Sequence, residues 1–566
     1  MHYRIIGTVL LLLLLFAATS YSQEAVLTLL PYNGDTLRYV DKQFIADTTN
    51  TGGLLANRVY EFKRDSVYLT HAIITIQAGE TLRLRATGTG TKKPIIYLWE
   101  TGTGGSPTRP PGNFVVLNGG NLEMTNICIA GYYEPEPDRV GGVQGGLVNT
   151  TAVGSSIILD GVVLSNINGQ HIRTGFNAVK VSAVNSIFAN MGALTTSNLG
   201  AGKGFDLREA AVDTFVLINN TFVNYQDRAV RHYNFSNPGA GTGVIKYGRI
   251  QHNTFVNGMG FHGLLSLGNL GQMMTIADNL FVDGFSLGED STDATRAAEW
   301  ANTGEFYPNG RSRITWIFSA PNDSTVWRIR NNWYAISDSG KAFLTDFSYP
   351  IGSPLSWHIN SKLQAQGGDS VNAFKRDTLA MVNIPRLMSN MMRWYEDTVA
   401  GGLRQKVQTN FVLARDDFDR RVIRYYRDTL NASYGTSTLA YTGGQGGYPA
   451  GDLNWYPTAK SAWLGDPISG VEGSESVIPD AFALEQNYPN PFNPATRITY
   501  SVPNQTKVLL EVFDLLGRKV ATLVNEVRPA GTFTVDFDGT KLVSGVYFYR
   551  LSTPYQVFAK KMLLIK

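Results

Sequence analysis

From Val59 on, apolar and polar positions along this chain alternate in short bursts, without a helical period until after Tyr334. In TLRLRA, Leu82 and Leu84 alternate with Arg83 and Arg85, the period-two pattern of a strand with one covered face. Val67, Leu69, Ile73, Ile74 and Ile76 mark short strands just before it. From about Asn113 the bursts become a repeat. LEMTNICIAG, IILDGVVLSN, VNSIFAN, VLINNTFVN, RIQHNTFVN, TIADNLFVD and RIRNNWYAI share one core: apolar, any residue, polar, Asn, any residue, aromatic, then Asn or Asp. Asn220, Asn253, Asn279 and Asn332 hold one equivalent position, and Phe222, Phe255, Phe281 and Tyr334 another. The step from Phe222 to Phe255 is 33 residues, from Phe255 to Phe281 26, and from there to Tyr334 53.

A period of this length predicts a solenoid or a propeller. Propeller blades need about 40 residues or more, and leucine-rich repeats would space Leu regularly. Short strands joined by Gly, Asn and Asp turns fit a parallel β-helix instead, with aromatics stacked inside and an Asn ladder satisfying turn backbone groups. After Tyr334 the rhythm changes. LAMVNIPRLMSNMMRWYEDT places Leu387, Met388, Met391, Met392 and Trp394 at near-helical spacing, and FVLARDDFDRRVIRYYRDTL mixes charge and aromatics likewise. These segments are expected to cover the solenoid's end, since an open rung exposes edge strands. YPAGDLNWYP, from Tyr448 to Pro457, reads as a closing turn.

The ends carry separate information. MHYRIIGTVLLLLLLFAATSYSQEA has a basic Arg4, an apolar run from Ile5 to Ala18 and a small-x-small site at Ser20-Tyr21-Ser22. That predicts a secretory signal peptide over 1–22 and, since no other apolar run is long enough, a mature chain without a transmembrane segment. The solenoid with its capping segments is expected over 23–464. Residues 465–481, rich in Gly, Ser and acid, read as a linker. Residues 482–566 read as a small β-sandwich of six or seven strands, announced by LEQNYPNPFNPATRITYSVP, whose prolines punctuate the boundary.

Composition narrows the classes. Charged residues are 17% of the chain and the net charge is +3, not the concentrated basic surface of a nucleic-acid binder. The lone Cys128 excludes an internal disulfide and a thiolate metal site, and lies in a strand-like run, where a free Cys is a small buried hydrophobe.

The repeat pattern, from roughly Val59 to Tyr334, resembles the right-handed parallel β-helix proteins of the pectate-lyase-like class. The tail resembles the type A C-terminal sorting domain of the type IX secretion system. NYPNPFNP, VFDLLGRKVATL, LVSGVYFYRL and KKMLLIK carry that likeness, in order, over the whole tail. The resemblance implies an all-β chain, a right-handed parallel β-helix followed by a small Ig-like sandwich. It implies a partner in the type IX secretion machinery and a secreted or cell-surface location in a Gram-negative bacterium. The β-helix fold hosts lyases, hydrolases and adhesins. The readings are therefore a protein that binds, and cleaves by β-elimination, an extracellular polysaccharide, or a noncatalytic adhesin or matrix protein.

Candidate chemistry follows from alternation. If Phe205, Leu207 and Val230 face inward, then Asp206, Arg208 and Arg231 face out, and the same register puts Lys180 out on the rung before. Elimination on uronic acids needs a base and a cation to neutralise the carboxylate. Arg208, Arg231 and Lys180 are the candidate bases. Asp206, Glu209 and Asp227 are the candidate ligands for Ca2+, the cation the resemblance implies. Arg228, Trp300 and Tyr307 are candidates for binding sugar, the last two in an insertion that also holds Phe306 and Trp316. His232, His252 and His262 would have to converge to hold a metal; His252 reads as a turn residue and His232 as facing the core. Glu289, Asp290 and Asp293 lack EF-hand spacing, and no phosphate loop, nucleophile elbow or dinucleotide fingerprint occurs.

Overall fold

The computed structural model describes residues 24–566 except 100–110, 132–145, 168, 193–201, 209, 233–242, 259–263, 269, 285–316, 319–324, 349–354, 356, 368–370, 372, 388, 405–420, 466–482, 503–505, 529–530 and 554–556. The signal-peptide segment, the aromatic insertion with Trp300 and Tyr307, Glu209, His262 and nearly all of the linker thus lie outside the described residues.

Three all-parallel sheets, of ten, eight and ten strands, wrap around one core. Apart from the first pair of sheet 1 and the last pair of sheet 3, each strand pairs with the strand three later in the chain, so one strand of each sheet makes a rung. This is the right-handed parallel β-helix the repeat predicted. Register runs straight up the stack: Ala183, Leu217, Ile250 and Ile276 in sheet 1; Ile172, Phe205, Val230 and Leu265 in sheet 2; Phe188, Phe222, Phe255 and Phe281 in sheet 3. The four phenylalanine rings stack inside at 4.8–5.0 Å between centroids and 13–16° between planes. Each such pair adds about 0.5–1.5 kcal/mol beyond the area it buries.

The Asn ladder is present and fully buried. Asn253 Oδ1 accepts from the backbone N (3.1 Å) and Nδ2 (2.9 Å) of Asn220, and Asn279 and Asn332 repeat the arrangement upward. A second ladder stands at the repeat's last polar position. Asn190, Asn224 and Asn257 sit in the left-handed region, which Asn tolerates well, and donate Nδ2 down the stack to Asn166, Asn190 and Asn224.

The two segments expected to cap the end, at 379–398 and 411–430, do not do so where they are described. The ends are closed by other pieces. Val40 of the helix Val40–Thr51 joins the core at the first rung, while Leu355, Ile359 and Leu363 join it beside Trp327 and Ile329 at the last. Helix Ser389–Glu396 packs with helix Asp338–Asp346 in a satellite cluster. Residues 421–463 instead run along the outside of sheet 3. Helix Ile423–Asp428 lies over Cys128, Val163, Ala189 and Val223, and the Tyr434–Ala450 stretch covers Leu280, Val282 and Trp333. GDLNW is not a closing turn but the middle of this strap. Asp452 accepts from Thr221 Oγ1 (2.7 Å) and Trp455 donates to the same hydroxyl (2.9 Å), while Asn454 donates to the carbonyl of Asn219. The physical reason is that the outer side of sheet 3 is itself apolar and needs a cover. Its strands are buried on both faces, whereas strands of sheet 1 such as Ser155–Asp160 alternate buried and half-buried.

The tail is a seven-stranded antiparallel sandwich, three strands against four, with its own core around Tyr500, Val512, Tyr549 and Met562. NYPNPFNP is more than punctuation. Asn487 is buried between Tyr549 and Thr496, and Phe492 inserts into the core while its backbone pairs with Leu563 and Ile565.

Candidate functional site: a cationic ladder on sheet 2

The outer side of sheet 2 carries a column read directly from register: Asn149, Arg173, Asp206, Arg231 and Ser266 on successive rungs. Phe205, Leu207 and Val230 face the core, so the alternation inferred for Asp206 and Arg231 holds. Arg231 Nη1 lies 3.3 Å from Asp206 Oδ1, with the carboxylate buried and the guanidinium partly accessible. Arg208 follows on the turn after strand Lys203–Asp206 and is exposed, with φ 48°. The left-handed region costs a long side chain about 1–2 kcal/mol, and the turn holds Arg208 there at the edge of the column.

Lys180 is not on this face. It belongs to strand Ala178–Val184 of sheet 1 and pairs with Thr214. Alternation counts residues within a strand but does not say which of three sheets a strand joins, so Lys180 is removed from the candidate bases.

A second group sits one turn along the same strands. Lys203 and Arg228 pair in register. Lys203 Nζ is 2.8 Å and Arg228 Nε 3.1 Å from Asp227 Oδ2, all three side chains buried. Arg228 also donates to Ser266 Oγ at 2.9 Å. Burial pulls the Lys203 ammonium down to about 8, against the opposing pull of Asp227 and Asp206. Burial and the guanidiniums of Arg208 and Arg231 likewise lower Arg173. Arg228 is thus a buried partner of Asp227, not a free sugar contact.

Of the three candidate calcium ligands Glu209 lies outside the described residues, and the other two are drawn into ion pairs. Asp206 is committed to Arg231 and Asp227 to Lys203 and Arg228, whereas Ca2+ takes several converging oxygens. Among the described residues no group of three or more His, Cys, Asp or Glu could hold a metal ion. His232 faces the core, its Nε2 2.8 Å from the Ala210 carbonyl oxygen, and burial pulls it down to about 4. His252 is the turn residue expected, at φ 52°, but buried against Trp463 of the strap.

Arg173 and Lys203 also belong to this face, beyond the residues that alternation singles out. The signal was available: Lys203 and Asp206 recur as Arg228 and Arg231 after the same 25-residue step, and Arg173 lies 33 residues before Asp206. Only the register aligns the two unequal steps.

Fold and tail define the class: a β-helix solenoid carrying an export domain. Residues 486–566 match the secretion system C-terminal sorting domain, and this tail is the type IX sorting sandwich its four blocks predicted, marking a secreted or cell-surface protein of a Bacteroidetes-type bacterium. No curated protein matches the chain. One solved structure with a match is PorZ, described as an essential bacterial surface component of the type-IX secretion system of Porphyromonas gingivalis. It is 23% identical over 17% of this chain and 13% of that one, with a TM-score of 0.12. Among the described residues no helix is long and apolar enough to cross a membrane.

Proposed function

We propose that this protein works on the outer side of the outer membrane, held there or released, and binds an anionic polysaccharide along sheet 2. The observation that carries the reading is the gathering of guanidiniums on the outer side of sheet 2. Arg173, Asp206 and Arg231 stand in register on successive rungs, Arg208 is exposed at their edge, and Arg173 lies in the field of both Arg208 and Arg231. Guanidiniums at successive rungs suit carboxylates or sulfates on successive sugars, since each offers a planar fork to an oxyanion. Arg208, exposed at the edge, is the group that would take the C5 proton if a bound uronate is cleaved. The C4–O bond would then break and a C4–C5 double bond form.

The test is affinity electrophoresis of the purified full chain against a panel of polyuronates and sulfated glycans, with neutral glucans as control. Retardation by acidic polymers that falls about tenfold in Arg173→Ala and Arg231→Ala supports the reading. Equal mobility in all gels overturns it and leaves the adhesin or spacer reading. Ultraviolet absorbance of unsaturated uronates, in wild type against Arg208→Ala, decides separately whether cleavage follows binding.

A further inference from the structure

The sorting sandwich concentrates exposed apolar side chains at one end. Tyr488 is 81% exposed, Leu515 70%, Leu516 77% and Val543 77%. They come from three segments far apart in the chain, and strand pairing brings them together. Asp514, just before the two leucines, pairs with Tyr547, whose hydroxyl donates to the Val543 carbonyl. Ser544 accepts from the backbone N of Lys566, the backbone of Phe492, four residues after Tyr488, pairs with Leu563 and Ile565, and Tyr488 itself pairs with Arg497 near the start of its strand in the three-stranded sheet. The four blocks that carry the family likeness therefore converge here.

Folding explains the buried members of those blocks, Asn487, Phe492, Tyr547 and Leu564. It does not explain four large apolar groups in water on loops that are already pinned. The Asp514 carboxylate accepts from the backbone N of Leu516 and of Arg518 and from the Arg518 guanidinium, so the leucine turn is held in shape. A rigid apolar cluster of this kind is what interfaces place at their centre.

Charge says what kind of surface fits. The side chains of Arg518 and Lys519 are well exposed, whereas their partners Asp514 and Glu511 are drawn back against the sheet. Lys541 and Lys566 are exposed beside them, with Asp538 exposed between, and the exposed pair Arg497–Asp536 flanks Tyr488. The end therefore presents an apolar centre with a mainly basic rim.

We propose that this end of the sandwich is the surface by which the tail docks on a protein of the export machinery, in an apolar pocket rimmed by carboxylates. The inference rests on the tail being a sorting domain and adds where it is read. Val527 and Val557 provide the control. They are also exposed but lie at the opposite end of the four-stranded sheet, paired with Lys507 and Ser552.

The experiment expresses the full chain in a bacterium with a working type IX system and measures the fraction outside the cell. Leu515→Asp with Leu516→Asp, and separately Val543→Asp, are expected to cut export about tenfold or more. Val527→Asp with Val557→Asp should export normally. Protease resistance of the tail in each purified variant shows that it still folds. Arg518→Glu with Lys541→Glu is a second, surface-only variant, expected to lower export less and in a salt-dependent way. Normal export of the Leu515/Leu516 and Val543 variants overturns the proposal. So does equal loss at both ends. So does wild-type binding to lipopolysaccharide vesicles that needs these residues while export does not.

Discussion

Replacing Asn253 tests the ladder that sets the solenoid's repeat. Its Oδ1 accepts from the backbone N and the Nδ2 of Asn220. Its Nδ2 donates to the carbonyls of Leu217 (2.9 Å) and Gln251 (3.1 Å) and to Asn279 Oδ1 (3.0 Å). The site is fully buried, so Asn253→Ala strips a backbone donor and a side-chain donor that cannot reach bulk water. An orphaned buried group costs about 1–3 kcal/mol, and the missing amide leaves a small cavity costing about 1 kcal/mol more. The expected loss is roughly 3–7 kcal/mol. Asn253→Leu separates the causes: it refills the volume, orphans the same donors and should lose nearly as much. Urea unfolding followed by tryptophan fluorescence reports the solenoid alone, because all 9 tryptophans precede residue 464. Hydrogen exchange should lose protection chiefly on the neighbouring rungs, since each rung contacts only its neighbours. If Leu restores stability to within about 1 kcal/mol, the ladder acts by filling space and the argument from buried polar groups is refuted.

Three further outcomes follow from the same geometry. Asp227→Ala leaves Lys203 and Arg228 buried without their carboxylate and should cost about 3–5 kcal/mol in the same unfolding assay; a loss below about 1 kcal/mol would mean water reaches the pair. Burial pushes the Asp452 carboxyl up to about 7. Its proton is held longer in the docked strap than in the open chain, so docking stability is full below about pH 4 and is lost as pH rises through 7, by a few kcal/mol at most. Hydrogen exchange of residues 423–463 against pH should show that loss, and Asp452→Asn should flatten it; an unchanged slope would clear Asp452 of the effect. Cys128 lies under helix Ile423–Asp428 with its thiol pushed up to about 12 by burial, so the native protein should resist thiol reagents. Tyr426→Ala, which removes the hydroxyl bonded to Asn190 and Asn224, should speed labelling about tenfold or more; no acceleration would show that the strap opens elsewhere.

The parts that were legible share a local cause. A buried aromatic every rung, an Asn before it and an Asn or Asp after it each answer a need met within a few residues: filling the core, satisfying a turn, or adopting the left-handed backbone. Those needs repeat with every rung, so the chain repeats them in its sequence. The in-and-out alternation of Asp206 and Arg231 was legible for the same reason. Lys180 was misplaced because a strand's pattern looks the same in any of the three sheets. The strap escaped notice because 421–463 has no period. Its residues answer to a surface built some 200–300 residues earlier, as Tyr426 does to Asn190 and Asp452 to Thr221.

By itself, then, the sequence determined the solenoid, its stacked interior, and the sorting sandwich that addresses it, because each is specified by short-range patterns of burial and turn chemistry. Tertiary structure alone decided which charges meet on sheet 2, what covers sheet 3, and which end of the sandwich gathers its exposed leucines, tyrosine and valine. Those outcomes depend on register between rungs of unequal length and on contacts between residues distant in the chain, and no local pattern encodes either.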